Sequence, residues 1–371
     1  MKKLLILGTG QAQTDVIRYC KDKGHRVYAC SYLSGDAAEK YADGFRQINI
    51  KDTDAVEAYA KELGADYVYS VGSDLAMPTA ARVSERLGLP AFISSDTAVA
   101  CNTKTVFRKR LGNGFEGNLR FIEAESVDAA IELDYPLIMK PTDSQGQRGV
   151  YRIDSYEDYK KHFDASMSFA NNKRIIVEEY VDGDEISVNC FSCGGKIVFS
   201  LISDRIVWAN YPGGLIHKHI IPSKYGKGES AERIIDLVSR VLDALDIKNG
   251  PSYFQIKMKD GKYPKLLEVT PRLDGCHMWR LIRYATGVDL LAMTVDMLTG
   301  ERSFAGEIKD YPVKPCYLEF LSEEPGKLYD RSKYSTDDAV YLQWYYENGD
   351  KVKSSNGYIE KGGFKIVEGE I

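Results

Sequence analysis

Gln255, Glu268, Thr270 and Arg272 are residues whose types and spacing suit chemistry on a phosphate group. They lie in the stretch 250–275, where apolar runs from Tyr253 to Met258 and from Leu266 to Val269 flank Asp260-Gly261, a strong turn signal. The pattern predicts a β-hairpin. With an even number of residues in the turn, side-chain alternation puts Gln255, Glu268 and Thr270 on one face, with Arg272 just beyond. An amide oxygen, a carboxylate and a hydroxyl beside an arginine suit Mg²⁺ carrying substrate phosphates. That ion takes one or two protein carboxylates and leaves the rest of its octahedron to phosphate and water. In isolation, an ordinary hairpin with solvated polar residues explains the stretch more simply.

Two lysines precede it. Asn102 is expected to cap a short helix and place Lys104 in its first turn, an end that cations avoid unless they are solvated or face an anion. Lys140 closes an apolar strand, and the loop 142–149, with Gly146, Arg148 and Gly149, turns back into Val150. Such a loop lets backbone N–H groups approach phosphate oxygens while the lysine neutralises charge; a surface hairpin would read the same way. Further on, Glu178, Glu179 and Val181 form a short acidic hinge before a strand that starts at Glu185. A hinge of this kind can present backbone groups to a flat base and a carboxylate to ribose hydroxyls, although charged strand ends are common in any protein.

These residues need a scaffold. Strands at Leu4 to Leu7, Val27 to Ala29, Tyr67 to Val71 and Phe92-Ile93 alternate with helices from Ala12, over Asp54 to Leu63 and over Pro78 to Leu87, predicting a parallel sheet with helices on both faces. Gly8-Thr9-Gly10 follows the first strand, but Gln13 stands where a dinucleotide loop has its third glycine, and Ser31 where an acidic residue would hold a ribose. This argues against a nicotinamide dehydrogenase or sugar epimerase, and leaves a small-anion site or a structural turn. Residues 115–180 read as a small α+β unit, with Ser155-x-x-Asp158 as a capping box. An amphipathic helix carrying Ile234, Val238, Val241, Leu242 and Leu245 leads into the hairpin; two helices follow it, with Gly287 as the C-cap between them. Short strands occupy 315–321, 341–346 and 365–367.

The net charge of −5 over 371 residues gives no general attraction to nucleic acid or anionic lipid, and no apolar run reaches the length that spans a bilayer. A soluble, cytoplasmic protein is expected. Seven scattered cysteines fit a reducing compartment, and Cys190-x-x-Cys193 lies on an alternating strand where its members point to opposite faces, so these cysteines are expected to be structural. His217 and His219 share a strand face without an evident third metal ligand; a loop with Arg205, Trp208 and this pair is better suited to touching a substrate.

In order and spacing, Lys104, Lys140 with its glycine loop, the 178–181 hinge, Glu185, Gln255, Glu268 and Arg272 resemble the ATP-grasp superfamily. The Glu-x-x-Pro-Arg signature at Glu268 to Arg272 is the strongest element, and Gln255 matches the carbamoyl-phosphate-synthase-like branch, with L-amino-acid-ligase-like members as further relatives. The resemblance implies an α/β ATP-grasp fold: a Rossmann-like pre-ATP-grasp domain over 1–97, an ATP-grasp domain over 98–310 with a lid at about 115–180 and a larger α+β part, and a β-rich lobe over 311–371. It implies that Lys104 and Lys140 bind the phosphates of ATP and that residues 142–149, with Gly146, Arg148 and Gly149, cover the triphosphate. Glu178, Glu179 and Val181 would hold adenine, and Glu185 the ribose. Gln255, Glu268 and Thr270 would hold Mg²⁺, and Arg272 would steady the transferred phosphoryl group. The expected activity is ATP-dependent joining of a small carboxylate to an amine through an acyl phosphate; a homodimer is left open. Thr270 departs from the family's Glu-x-Asn-Pro-Arg. It motivates the alternative of a non-catalytic ATP-binding or sensor module with a degenerate metal site.

Overall fold

The amino-terminal residues form β1 (Lys3–Leu7), α1 (Gln11–Asp22), β2 (Arg26–Ser31), β3 (Gly44–Gln47), α2 (Thr53–Leu63), β4 (Tyr67–Tyr69) and α3 (Met77–Leu87). The strands make a parallel sheet in the order β3-β2-β1-β4. Side-chain alternation in β1 explains why helices cover both faces: Leu4 and Ile6 pack with Val16, Ile17 and Cys20 of α1, while Leu5 and Leu7 pack with Val56, Tyr59 and Val83 on the other side. Two expectations change here. β3, with Phe45 as its only large apolar residue, gave no strand pattern and is recruited by pairing with the edge of β2. Phe92-Ile93 form no strand; the Phe92 ring lies edge-on to Tyr69, with centroids 5.8 Å apart.

The computed structural model describes the chain apart from residues 130, 145–147, 212, 213, 305, 307, 309, 310, 355, 356, 370 and 371. After α4 (Ser95–Asn102) and α5 (Lys104–Leu111), a second unit comprises β5 (Phe121–Ala124), β6 (Leu137–Pro141), β7 (Tyr151–Ile153), α6 (Tyr156–Met167) and β8 (Ile175–Glu179). Its antiparallel sheet, in the order β5-β8-β6-β7, has its own core of Leu137, Met139, Ile153, Tyr159, Phe163, Ile175 and Val177. The Ser155 side chain accepts from the Asp158 N–H and starts α6 as the capping pattern requires.

The largest sheet contains β9 (Asp184–Cys193), β10 (Lys196–Val207) and β11 (Ile216–Ile221), then, after α7 (Gly228–Ala244), β12 (Gly250–Lys259) and β13 (Tyr263–Thr270). Beyond α8 (Met278–Thr286) and α9 (Leu290–Leu298) come β14 (Cys316–Glu323), β15 (Ala339–Trp344) and β16 (Glu360–Glu368). The order is β13-β12-β9-β10-β11-β14-β16-β15. The carboxy-terminal strands thus extend the large sheet, because β14 pairs antiparallel with β11. Among the described residues no helix is long and apolar enough to cross a membrane, and all seven cysteines are free.

Candidate active site

The hairpin reaches its shared face by a route the sequence pattern did not anticipate. Lys259 pairs with Tyr263, so residues 260–262 form an odd turn where an even one was expected, and Ile256 pairs with Leu266. Continued unchanged, that register would set Gln255 against Leu267. A bulge at Leu267 shifts it by one, so that Gln255 faces Glu268 and Tyr253 faces Thr270. Leu266 and Val269, three apart, can then both be buried. Arg108 of α5 holds the bulge: its guanidinium donates to the carbonyls of Leu266 (2.7 Å) and Leu267 (3.2 Å). Alternation on β9, paired with β12, adds Glu185 and Ser187 to the same face.

Opposite charges gather around this face. Arg108, fully buried, donates through Nε to Glu178 at 2.9 Å, and the other Glu178 oxygen pairs with Lys140. Burial raises the Glu178 carboxyl, but the two cations outweigh it and bring it down to about 2. Glu268 is treated differently. Burial and the nearby Asp74 carboxylate push its carboxyl up, against the pull of Lys104, Arg272 and Lys140. Lys104 donates to the Ser144 carbonyl at 2.9 Å, and burial pushes its ammonium down, assisted by repulsion from Lys140 and opposed by Glu268. Asn102 does not cap this helix; it ends α4, and Thr103 is the cap residue without a side-chain bond, although Lys104 does occupy the first turn.

The remaining expected residues are distributed as follows. Glu179 accepts from the backbone N–H (3.1 Å) and Nε (3.3 Å) of Arg120, and Val181 is buried. Glu185 pairs with Arg205 and accepts from the Gln255 amide, so the carboxylate expected at ribose and the amide expected at the metal meet each other. Arg148 is exposed, and Gly146 lies outside the described residues. Gly149 has φ +72°, and a Cβ there would stand 2.9 Å from the Pro141 ring, so packing as well as backbone conformation requires glycine. Arg272 grips Asp74 with both ends of its guanidinium, at 2.7 and 2.6 Å. Asp74 lies in the loop after β4. Near it a Cβ on Gly72 would come within 2.9 Å of the Gly275 Cα, so two backbones meet there without side chains between them. Gln13 reaches the Val71 carbonyl and packs against Gly8, filling the glycine turn after β1.

Arg108 and Asp74 are residues that reading the sequence for this site missed. Asp74 follows the carboxyl end of a parallel strand, where open α/β sheets place ligand-binding loops, and that position was a usable signal. Arg108 had none, because its partners lie on three separate segments.

The donor set fits Mg²⁺. Glu268 and Thr270 offer oxygens on one strand face, burial and Asp74 push the Glu268 carboxyl up, and among the described residues the buried Thr270 hydroxyl has no hydrogen-bond partner. Residues 133–278 match the family model described as an ATP-grasp domain. The chain is 25% identical over 190 residues to the carbamoyl phosphate synthase large chain of Thermoanaerobacter sp. (strain X514), covering 50% of this chain and 17% of that one. It is 24% identical over 315 residues to the alanine–anticapsin ligase of Bacillus subtilis (strain 168), covering 78% and 62%. This chain thus spans only part of those relatives. Superposition on the L-amino acid ligase of Bacillus licheniformis gives a TM-score of 0.81 at 20% identity, covering 100% of this chain and 94% of that one. N5-carboxyaminoimidazole synthetase of Staphylococcus aureus, complexed with ADP, gives 0.79 at 17% identity with the same coverages. The chain therefore has the ATP-grasp fold, with residues 133–278 matching the ATP-grasp domain and with similarity to carbamoyl phosphate synthases and amino-acid ligases.

Proposed function

We propose that the protein is an ATP-dependent carboxylate–amine ligase acting through an acyl phosphate. The observation that carries this reading is a pair of opposite demands around one strand face. Lys104, whose ammonium is pushed down by burial and by repulsion from Lys140, is suited to an anion, and Glu268, whose carboxyl is pushed up by burial and by Asp74, is suited to a cation. Magnesium-bound ATP answers both. Phosphoryl transfer depends on positioning and on neutralising spread-out charge, which lysines, an arginine and a metal floor supply.

In this reading Lys104 and Lys140 bind the triphosphate, and Glu179, Val181 and the neighbouring backbone hold the base. Glu185 meets the ribose, Glu178 keeps Lys140 in place, and the loop containing Gly146, Arg148 and Gly149 covers the phosphates. Glu268 and Thr270, with Gln255 beside them, hold Mg²⁺, which when bound neutralises phosphate charge. A substrate carboxylate oxygen forms a bond to the γ-phosphorus as the bond to the β-phosphate oxygen breaks, releasing ADP. Arg272, exchanging Asp74 for the transferred group, steadies the developing charge. The amine then attacks the acyl carbon and phosphate leaves.

The test is ADP release from ATP and Mg²⁺ in the presence of pooled small carboxylates and amines. Substrate-stimulated release supports the ligase. ATP binding with no stimulation across a broad pool favours a sensor module, for which the hydroxyl at Thr270 is the motivating feature. Binding of a nicotinamide dinucleotide without ATP binding would overturn both.

A further inference from the structure

A second polar cluster lies beyond the ATP face, where β11 meets the loop after β13. Its members are His219, Asp274 and Cys276, whose nitrogen, oxygen and sulfur atoms all lie within 4.8 Å of one another. His219 is fully buried, and neither ring nitrogen has a hydrogen-bond partner among the described residues. Asp274 is 5% exposed; its Oδ1 accepts from the Cys276 N–H at 3.0 Å, while Oδ2 is buried and unpartnered, 4.0 Å from His219 Nε2. Leaving three buried polar atoms unpaired in one place is unfavourable by several kcal/mol in an apolar interior and calls for an occupant.

The geometry points to a site for a borderline-soft divalent cation of the zinc type, held by His219, Asp274 and Cys276 with a fourth position open. The mixed nitrogen, oxygen and sulfur set disfavours Mg²⁺, which prefers oxygen throughout, and matches the three-ligand sites that keep one position for water or substrate. Bonds of about 2.0–2.3 Å hold tetrahedral donors about 3.5 Å apart, a contraction that rotation of the two loop side chains can supply. The Cys276 N–H bond to Asp274 already fixes one carboxylate oxygen and leaves the other facing the imidazole. Lys361 lies 3.2 Å from the Cys276 sulfur. On binding, the thiol proton passes to buffer, the sulfur bonds the ion as thiolate, and the Lys361 ammonium remains as a donor to that sulfur. The sequence pattern showed His217 and His219 without a third ligand. The fold sends His217 to Glu319, at 3.1 Å, and brings Asp274 and Cys276 to His219 instead.

The test does not depend on ligase activity. Metal-free protein is titrated with Co²⁺ in the presence of excess Mg²⁺, following near-ultraviolet thiolate-to-cobalt charge transfer and proton release. The expected result is a saturable band at a single equivalent with about one proton released per ion. The band should be lost in Cys276→Ser, and retained in Cys193→Ser and in Glu268→Gln. His219→Asn and Asp274→Asn should each weaken binding by more than the roughly tenfold lower limit for losing an outer partner. If Cys276→Ser does not fold, as judged by its melting curve, the two Asn variants carry the test. No charge-transfer band in the parent protein, or a band that survives Cys276→Ser, overturns the site whatever the ATP assay gives.

Discussion

Glu178 and Glu268 are glutamates that share Lys140 as a neighbour, and the protein provides for them in opposite ways. Glu178, on a strand of the small unit, has Lys140 and Arg108 bonded to it, and its carboxyl is held at about 2. Glu268, on the hairpin, has its carboxyl raised by burial and by the Asp74 carboxylate, more than Lys104, Arg272 and Lys140 nearby can offset. The first is a structural ion, complete within the protein. The second is poised to receive a cation. A buried carboxylate reveals its role less by its burial than by whether its countercharge is built in.

The sharpest way to break this contrast is to neutralise each glutamate in turn. Glu268→Gln is expected to lower substrate-dependent ADP production by at least about 10²-fold, the loss typical of removing one charge-stabilising group. It should raise the melting temperature of the Mg²⁺-free protein at neutral pH, because ionisation of a carboxyl with a raised pKa costs stability as pH rises above its usual 4.5. Unchanged turnover would remove the hairpin from the mechanism. Glu178→Gln should do the reverse to stability, destabilising by about 3 kcal/mol in denaturant unfolding, since two buried cations lose their counterion. Its stabilising effect in the parent is complete above about pH 4.5 and is lost as pH falls toward about 2, so parent and variant should converge across that window. Equal losses at pH 3 and pH 7 would contradict the assignment.

Asp74→Asn sharpens the comparison at the border of the site. It removes the carboxylate crowding Glu268 and weakens the grip on Arg272, and the Mg²⁺ concentration for half-maximal activity is expected to rise about tenfold, equivalent to about 1.4 kcal/mol. A Mg²⁺ dependence like that of the parent would separate Asp74 from the metal-binding residues. The smallest effect is expected at Arg46 and Glu62, an exposed pair at 2.6 Å; replacing both by alanine should leave the melting curve unchanged, because solvent screens such pairs.

Much of the framework was legible in local patterns. The alternation of β1, the capping serine of α6, Gly287 between α8 and α9, and the hairpin itself all depend on residues within a few positions of each other. The turn parity was not, although Leu266 and Val269 both needing burial at a spacing of three in a strand already implied a bulge. The charge pattern was half legible: Lys104, Lys140 and Glu268 stand out by position, whereas Arg108 and Asp74 act through neighbours 70 and 198 residues away, Glu178 and Arg272. The His219 cluster was hidden for the same reason. Its second and third members arrive from a loop more than 50 residues downstream, which follows a strand that three others separate from β11 in the sheet.

The contact of Gly72 with Gly275 makes a joint of the seam between the amino-terminal sheet and the hairpin loop. Two bare backbones that touch can part freely, but they have no room for a wedge. Alanine at Gly275 would place its methyl carbon 2.9 Å from the Gly72 carbonyl oxygen, prying apart the segments that carry Asp74 and Arg272. Adding one carbon and no charge should therefore reproduce part of the Asp74→Asn phenotype. At this joint, fit between surfaces governs how firmly the arginine is held.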